Sequence, residues 1–552
     1  MDINTSSSQK IENMLNLSLS LEETQREQAA ELDVGFDGRT KTWELILKYN
    51  GDLLQYEQEG IRIEPLIAGY AIVTIRENLI RDFVVNPEVE YVEMPKRLFY
   101  SVTEGKAASC FQSTATVRGL SGKDVLVAII DSGIDYESMA FRKNDGTTRI
   151  RFLWDQSLQT GEEGQPPEGF FQGIEYSEEQ INRVLAENTT LPTQDITGHG
   201  TAVAAIAAGK YDEQSLVGGA PESDLLIVKL GNADKLSFPR TTELMRAVTY
   251  AVRKAMELNM PLALNLSFGN TYGAHDSTSI LERFLDNASE IGRTVICVGS
   301  GNEGAAAGHT AGSLQEERTT QVELAVGNYQ SSFGIQLWKN YVDRMELYLV
   351  SPGGERRQIS LTVSGKQQFI LEQTEILLYI GEPSPYSVNQ EIYFELLSLE
   401  GAYVRTGVWR FEMRGIRIVS GNFLYYLPSE QVLSADTRFY APVPQSTLTI
   451  PSTASKVITV GAYNNVYDSY ADFSGRGYPD EGVLNGSRES SAFYEAGQTV
   501  KPDLVAPGVG IRTLRVGGGV EYVSGTSFAT PFVTGAAALL MEWGEGDIIR
   551  LR

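Results

Sequence analysis

The sequence predicts an α/β protein built on a parallel sheet with helices on both faces. A small α+β module precedes that sheet, and an all-β sandwich is inserted into it. Three observations carry the prediction. Short, near-continuous apolar runs such as "KDVLVAIID", "DLLIVKLGN", "PLALNLSFGN", "TVICVGSGN" and "KVITVGAYN" each end in a polar or glycine turn. Helix-period stretches, "TTELMRAVTYAVRKAMELN" and "TSILERFLDNASEIG", lie between them, the pattern of strands buried on both faces of a helix-covered sheet. Between residues 310 and 445 the helical period vanishes, and short strands separated by Gly, Pro, Ser and Asn replace it.

At 552 residues the chain exceeds one ordinary core, so several units are expected. Residues 1–34 read as a polar extension with one helix, "LEETQREQAAEL", whose acidic first turn suits the helix dipole. In residues 35–100, "TWELILKYNG" and "IRIEPLIAGYAIVTIRENLIRDFVVNPEVEYVE" give strand, strand, short helix and strand. A module of that size is marginal alone and gains from docking on a neighbour. Residues 101–309 are the first part of the α/β domain, 310–445 the inserted sandwich, and 446–552 the second part. Asp131, Ser267 and Asn302 fall at carboxyl ends of the predicted strands, where such sheets bind ligands.

Composition excludes some function classes. The net charge of −25 argues against nucleic-acid binding, which needs a basic face. The N-terminus lacks a basic segment followed by an apolar run, so no secretory signal and an intracellular location are expected. No apolar run has the length of a membrane span. Cys110 and Cys297 are far apart and read as idle thiols rather than a disulfide. No His/Asp/Glu grouping has ligand spacing, so neither a metal nor a cofactor is expected.

Three stretches carry chemistry. Asp131 ends a buried strand, where a carboxylate needs hydrogen-bond donors; its plainer role is to start the Ser-Gly turn. His199 lies in "DITGHGTAVAAIAAG", where small residues let a helix press on the sheet with the imidazole at its entrance. Taken alone, it is more simply a histidine incidental to a helix start. Ser527, in "SGTSFATPFVTGAAALL", stands where a loop becomes a helix. It is either a helix cap or a nucleophile held where backbone N–H groups and the dipole favour developing negative charge. His275 and His309 have no partner motif and read as surface-loop residues.

Asp131, His199 and Ser527 occur in the chain order Asp…His…Ser, each beside glycine. With "AIIDSGID", "GHGTAVAAIAAG", "NLSFGN", "VGSGNEG", "VITVGA", "FSGRG" and "KPDLVAPG", the chain resembles the subtilases, serine proteases of subtilisin type. The resemblance implies Ser527 as nucleophile, His199 as base and Asp131 as its orienter. It also implies Asn302 as oxyanion donor, and Ser267, Phe268, Gly269 and Gly301 as substrate-binding residues. Phe268 is equally readable as core. One departure is Ala202, where the family commonly has a second His after "HGT". Subtilases carry an inhibitory propeptide, and "GYAIVTI…PEVEYVE" looks like the end of one. Mature chains of the family begin about thirty residues before the catalytic Asp, which for Asp131 implies self-cleavage at Tyr100–Ser101. The architecture is similar to the Csp germination proteases of spore-forming bacteria, which combine a propeptide, a subtilase domain and an inserted jelly-roll. That implies a spore or cytoplasmic location, and as partners the chain's own propeptide and a protein substrate, the precursor of a cortex-lytic enzyme. Some of those relatives are non-catalytic signalling proteins on the same fold, which is the rival reading.

Overall fold

The computed structural model describes residues 9–29, 31–100, 119–161, 164–211, 216–231, 238–399, 403–477 and 500–546. At its centre lies a sheet in the order Ser469–Tyr470, Ile458–Asn464, Thr294–Gly299, Leu262–Leu266, Leu126–Asp131, Asp224–Lys229, Ile150–Asp155, Ile174–Ser177. The six strands from Ile458–Asn464 to Ile150–Asp155 run parallel, and the two outer ones antiparallel. Leu126–Asp131 and Leu262–Leu266 are buried along their whole length. Such strands have no solvent face, which is why they read as unbroken apolar runs.

Helices His199–Ala208 and Thr526–Gly546 share a core on one face of the sheet, and Thr241–Leu258 and Ile280–Ala288 on the other. His199–Ala208 is buried at every residue because its side chains are small. A Cβ on Gly200 would sit 2.1 Å from the Gly133 carbonyl oxygen. Glycine there lets the helix start touch the turn that follows Asp131.

The N-terminal module is a five-stranded antiparallel sheet around Thr42–Tyr49 and Tyr70–Arg76. The extension expected over residues 1–34 is not separate in its described part. Met14, Leu15, Leu17, Leu21, Leu32 and Val34 enter the module's core, and its helices are Asn13–Ser18 and Glu23–Gln28. A few apolar residues spaced among polar ones sufficed to anchor it.

The insertion is two antiparallel sheets, of six and five strands, enclosing one core with Phe394 packed edge-on to Phe411. It starts at His309–Ser313, and Val443 N donates to the His309 carbonyl, so entry and exit meet. Leu377, Tyr379, Tyr393 and Leu397 of the insertion join the N-terminal module's core. The module is thus wedged between the insertion and the helices Thr241–Leu258 and Ile280–Ala288 of the central domain.

Candidate active site

Asp131 is the last residue of its strand and fully buried. Its Oδ1 accepts from the Ser132 N–H at 2.7 Å and faces His199 Nδ1 at 2.6 Å. His199 opens its helix just after Gly198, which takes the left-handed conformation at φ 76°. Its Nε2 is buried and, among the described residues, accepts or donates no hydrogen bond. The strand end and the helix start therefore fix one edge of the imidazole and leave the other edge unused.

Asp195, four residues before His199, was not singled out from the sequence. Its carboxylate accepts from Ser132 Oγ, Gly198 N, Thr201 N and Thr201 Oγ1 at 2.7–3.0 Å, tying the two loops together. The only signal was an acidic residue in the polar turn "DITG".

Ser527 is the second residue of the helix Thr526–Gly546, and it is fully buried. Among the described residues its hydroxyl does not bond the helix start but donates to the Ser267 carbonyl at 3.1 Å, while Ser267 Oγ donates to its carbonyl at 3.2 Å. Phe528, the next residue, packs against the His199 ring with centroids 5.2 Å apart. The structure therefore joins Asp131 to His199 by a hydrogen bond and Ser527 to Ser267.

Asn302 follows the strand Thr294–Gly299, and its Oδ1 accepts from both the N–H and the hydroxyl of Thr526 at 3.1 Å. With the oxygen committed to the helix start, the carboxamide turns its NH2 group the other way. Gly301 is in the left-handed region, and a Cβ there would lie 2.4 Å from Thr449. No other residue fits that bend without strain.

Ser267 and Phe268 are buried, and Phe268–Gly269 pairs antiparallel with Phe99–Tyr100 at the module's C-terminal end. On the other flank Leu98 N donates to the Pro239 carbonyl at 2.7 Å, and Thr241 N to the Lys96 carbonyl at 2.9 Å. Residues 96–100 thus lie as a middle strand in a groove with two walls. The Tyr100 ring sits 4.9 Å from His199 and 5.2 Å from Phe268, and its carbonyl accepts from Gln431 Nε2 at 2.9 Å. Burial, helped by the charges of Asp131 and Asp195, pushes the Tyr100 phenol well above its ordinary range. Ser101 and Cys110 lie outside the described residues.

Beside the groove, ion pairs cross from the module to the helix Thr241–Leu258 and its start. Glu44 meets Arg240 at 2.5 Å and Arg246 at 2.6 Å, and Glu64 meets Arg246 at 2.9 Å. Burial alone would raise the Glu44 carboxyl, but the two guanidinium groups pull it down to about 2. These partners are some two hundred residues apart and carry no sequence signal.

His275 and His309 are not surface-loop residues. Both are buried and stack on opposite sides of Tyr426 at 4.0 and 4.3 Å, because the insertion folds back onto the central domain there. Burial pushes both imidazoles below their ordinary range, His309 to about 3. The Cys297 thiol, buried and pushed up to about 12, is unreactive. Among the described residues no group of three or more His, Cys, Asp or Glu side chains is placed to hold a metal ion. No helix among them is long and apolar enough to cross a membrane.

Residues 9–96 match the Csp protease B prodomain, and residues 122–381 and 420–547 match the Subtilase family. The structure of the Clostridium perfringens CspB protease shares 30% identity, covers 79% of this chain and 85% of its own, and superposes with a TM-score of 0.68. Subtilisin-like protease SBT3.3 of Arabidopsis thaliana is 26% identical over 470 residues, 76% of this chain and 57% of that protein. Subtilisin E of Bacillus subtilis (strain 168) is 35% identical over 100 residues, 17% of this chain and 26% of its own. The chain therefore spans little more than half of SBT3.3 and about a quarter of subtilisin E.

Proposed function

Since the chain belongs to the subtilase family, we propose that it is a serine endopeptidase in which Ser527 attacks, His199 moves the proton and Asp131 holds His199. Ser527 Oγ turns about its side-chain torsion from Ser267 toward His199 and adds to the peptide carbonyl carbon. His199 Nε2 takes the hydroxyl proton, while Nδ1–H stays on Asp131, whose charge stabilises the imidazolium. The oxyanion that forms accepts from the Asn302 NH2 group and the Ser527 backbone N–H. Collapse of the tetrahedral intermediate breaks the C–N bond, and His199 returns its proton to the leaving amine. A water then repeats the sequence and frees the acyl group.

The single observation that carries this reading is the 2.6 Å Asp131–His199 contact, with the second ring nitrogen buried and unengaged among the described residues. The groove beside it supports the rest. A peptide enters as an added strand against Phe268–Gly269, as Phe99–Tyr100 does here. The module ending at residue 100 is then a propeptide that occupies the groove, which the chain cuts from itself at Tyr100–Ser101 or within a few residues of it, and which blocks the groove until it leaves. The match to the Csp prodomain and the likeness to CspB favour a role in spore germination, with a cortex-lytic enzyme precursor as substrate.

The test is the purified chain against its Ser527→Ala variant, with no other protease present. Wild type is expected as two fragments that co-purify, and Ser527→Ala as one chain of equal melting temperature. Identical cutting of both would return Ser527 to a structural role and favour a signalling protein on this fold.

A further inference from the structure

We propose that Gln431, delivered by the inserted sandwich, is a substrate-binding residue that clamps the peptide backbone in the groove. The proposal rests on the groove being the protease's substrate site. It adds a third wall, which the central domain alone lacks.

Gln431 Nε2 donates to the Tyr100 carbonyl at 2.9 Å. A backbone carbonyl is common to every peptide, so this contact holds the chain whatever its sequence. Gln431, Asn302, Gly269 and Tyr100 line one small cavity, which places the amide among the residues assigned to substrate and oxyanion.

The segment that presents Gln431 is fixed rather than free. Gln431 lies in the single turn Glu430–Val432. Just before it, Ser429 Oγ donates to Glu303 at 3.0 Å, next to Asn302. Thr271 Oγ1 donates to the Leu427 carbonyl at 2.7 Å, and Leu427 N to the Gly308 carbonyl at 2.9 Å. Tyr426 is gripped between His275 and His309, and its hydroxyl donates to the Ser446 carbonyl at 2.9 Å. Residues 426–429 are thus pinned to the loops that follow Gly269 and Asn302, so Gln431 stands at a set distance from the groove's edge. An amide held this way costs little ordering when a peptide arrives. Tyr100 carries the carbonyl of the Tyr100–Ser101 bond, so in self-cleavage there this oxygen becomes the oxyanion, and the Gln431 amide joins the Asn302 and Ser527 donors; its loss reaches the chemical step as well as binding.

The experiment has two arms. In the uncut Ser527→Ala chain, hydrogen exchange at residues 96–100 reports docking of the strand without any catalysis. Adding Gln431→Ala is expected to speed that exchange about 3–10-fold, the effect of one modest hydrogen bond. In the self-processed protein, cleavage of the synthetic peptide Arg-Leu-Phe-Tyr-Ser-Val-Thr-Glu should show kcat/KM lowered by at least a similar factor. Gln431→Glu, which sets an acceptor and a negative charge against the carbonyl, should lower kcat/KM further. Unchanged exchange overturns the clamp even in an active enzyme, and so does an unchanged kcat/KM. If wild type cleaves nothing while exchange still quickens, the protease reading fails and takes the substrate role of Gln431 with it, leaving a contact that only docks the module's last strand.

Discussion

Asn302 is held by its oxygen on Thr526, so replacing it removes a donor whose direction is already set. Asn302→Leu is expected to lower kcat roughly 10²–10³-fold with little change in KM, measured on the peptide above. The same change removes an acceptor from the Thr526 N–H, which costs about 1 kcal/mol and only a small shift in melting temperature. Unchanged kcat in a folded variant would remove Asn302 from the chemistry. Asp131, His199 and Ser527 were legible in the sequence because each needs glycine or small residues beside it to bring backbone close. Asp195 was not, since a turn acid looks alike whether it caps one loop or ties two. Gln431 was beyond reach: its partner is a backbone carbonyl 331 residues away, and a carbonyl has no residue type to read.

Among the elements, the docked module is the one whose hold depends on pH. Burial raises Glu93 and Glu395 to about 8 and Glu31 and Glu391 to about 7, against an ordinary 4.5. Glu31 and Glu93 belong to the module, Glu391 and Glu395 to the insertion; Glu12, Asp33, Lys96, Arg97 and Glu282 are the charged groups around them. The docked state therefore binds more protons than the freed one between about 4.5 and 8. Docking is strongest at the acid end of that range and weakens as pH rises through 7–8. Glu44, depressed to about 2, works the other way but loses its contribution only in strong acid, outside this window. After self-cleavage, gel filtration should show the N-terminal fragment retained at pH 6 and shed at pH 9, with Glu93→Gln flattening the change. Equal retention at both pH values would count against the buried carboxyls as the hinge of release. The strands themselves were legible because burial on both faces leaves an apolar run. Their order was not, since parallel neighbours such as Leu126–Asp131 and Leu262–Leu266 are joined through long crossovers.

For the whole molecule, the module's position between two partners sets what holds it. Leu377, fully buried in the insertion, belongs to the module's core, where the helix Asn13–Ser18 packs on its strand. Leu377→Ala is expected to cost about 2–5 kcal/mol, part of it in docking. The N-terminal fragment should then be lost on gel filtration at pH 6 while kcat on the peptide stays as in wild type. Full retention would mean that the central domain holds the module unaided. A different consequence follows from the meeting of His309 and Val443. To the central sheet, everything between those residues closes like a short hairpin, because loop-closure entropy depends on where the ends sit. The sandwich can therefore lengthen, shrink or change its outer turns over evolutionary time without the parent sheet having to fold differently. Drift is checked along residues 426–431 and at Leu377, Tyr379, Tyr393 and Leu397, where inheritance of the guest is bound to the working of its host.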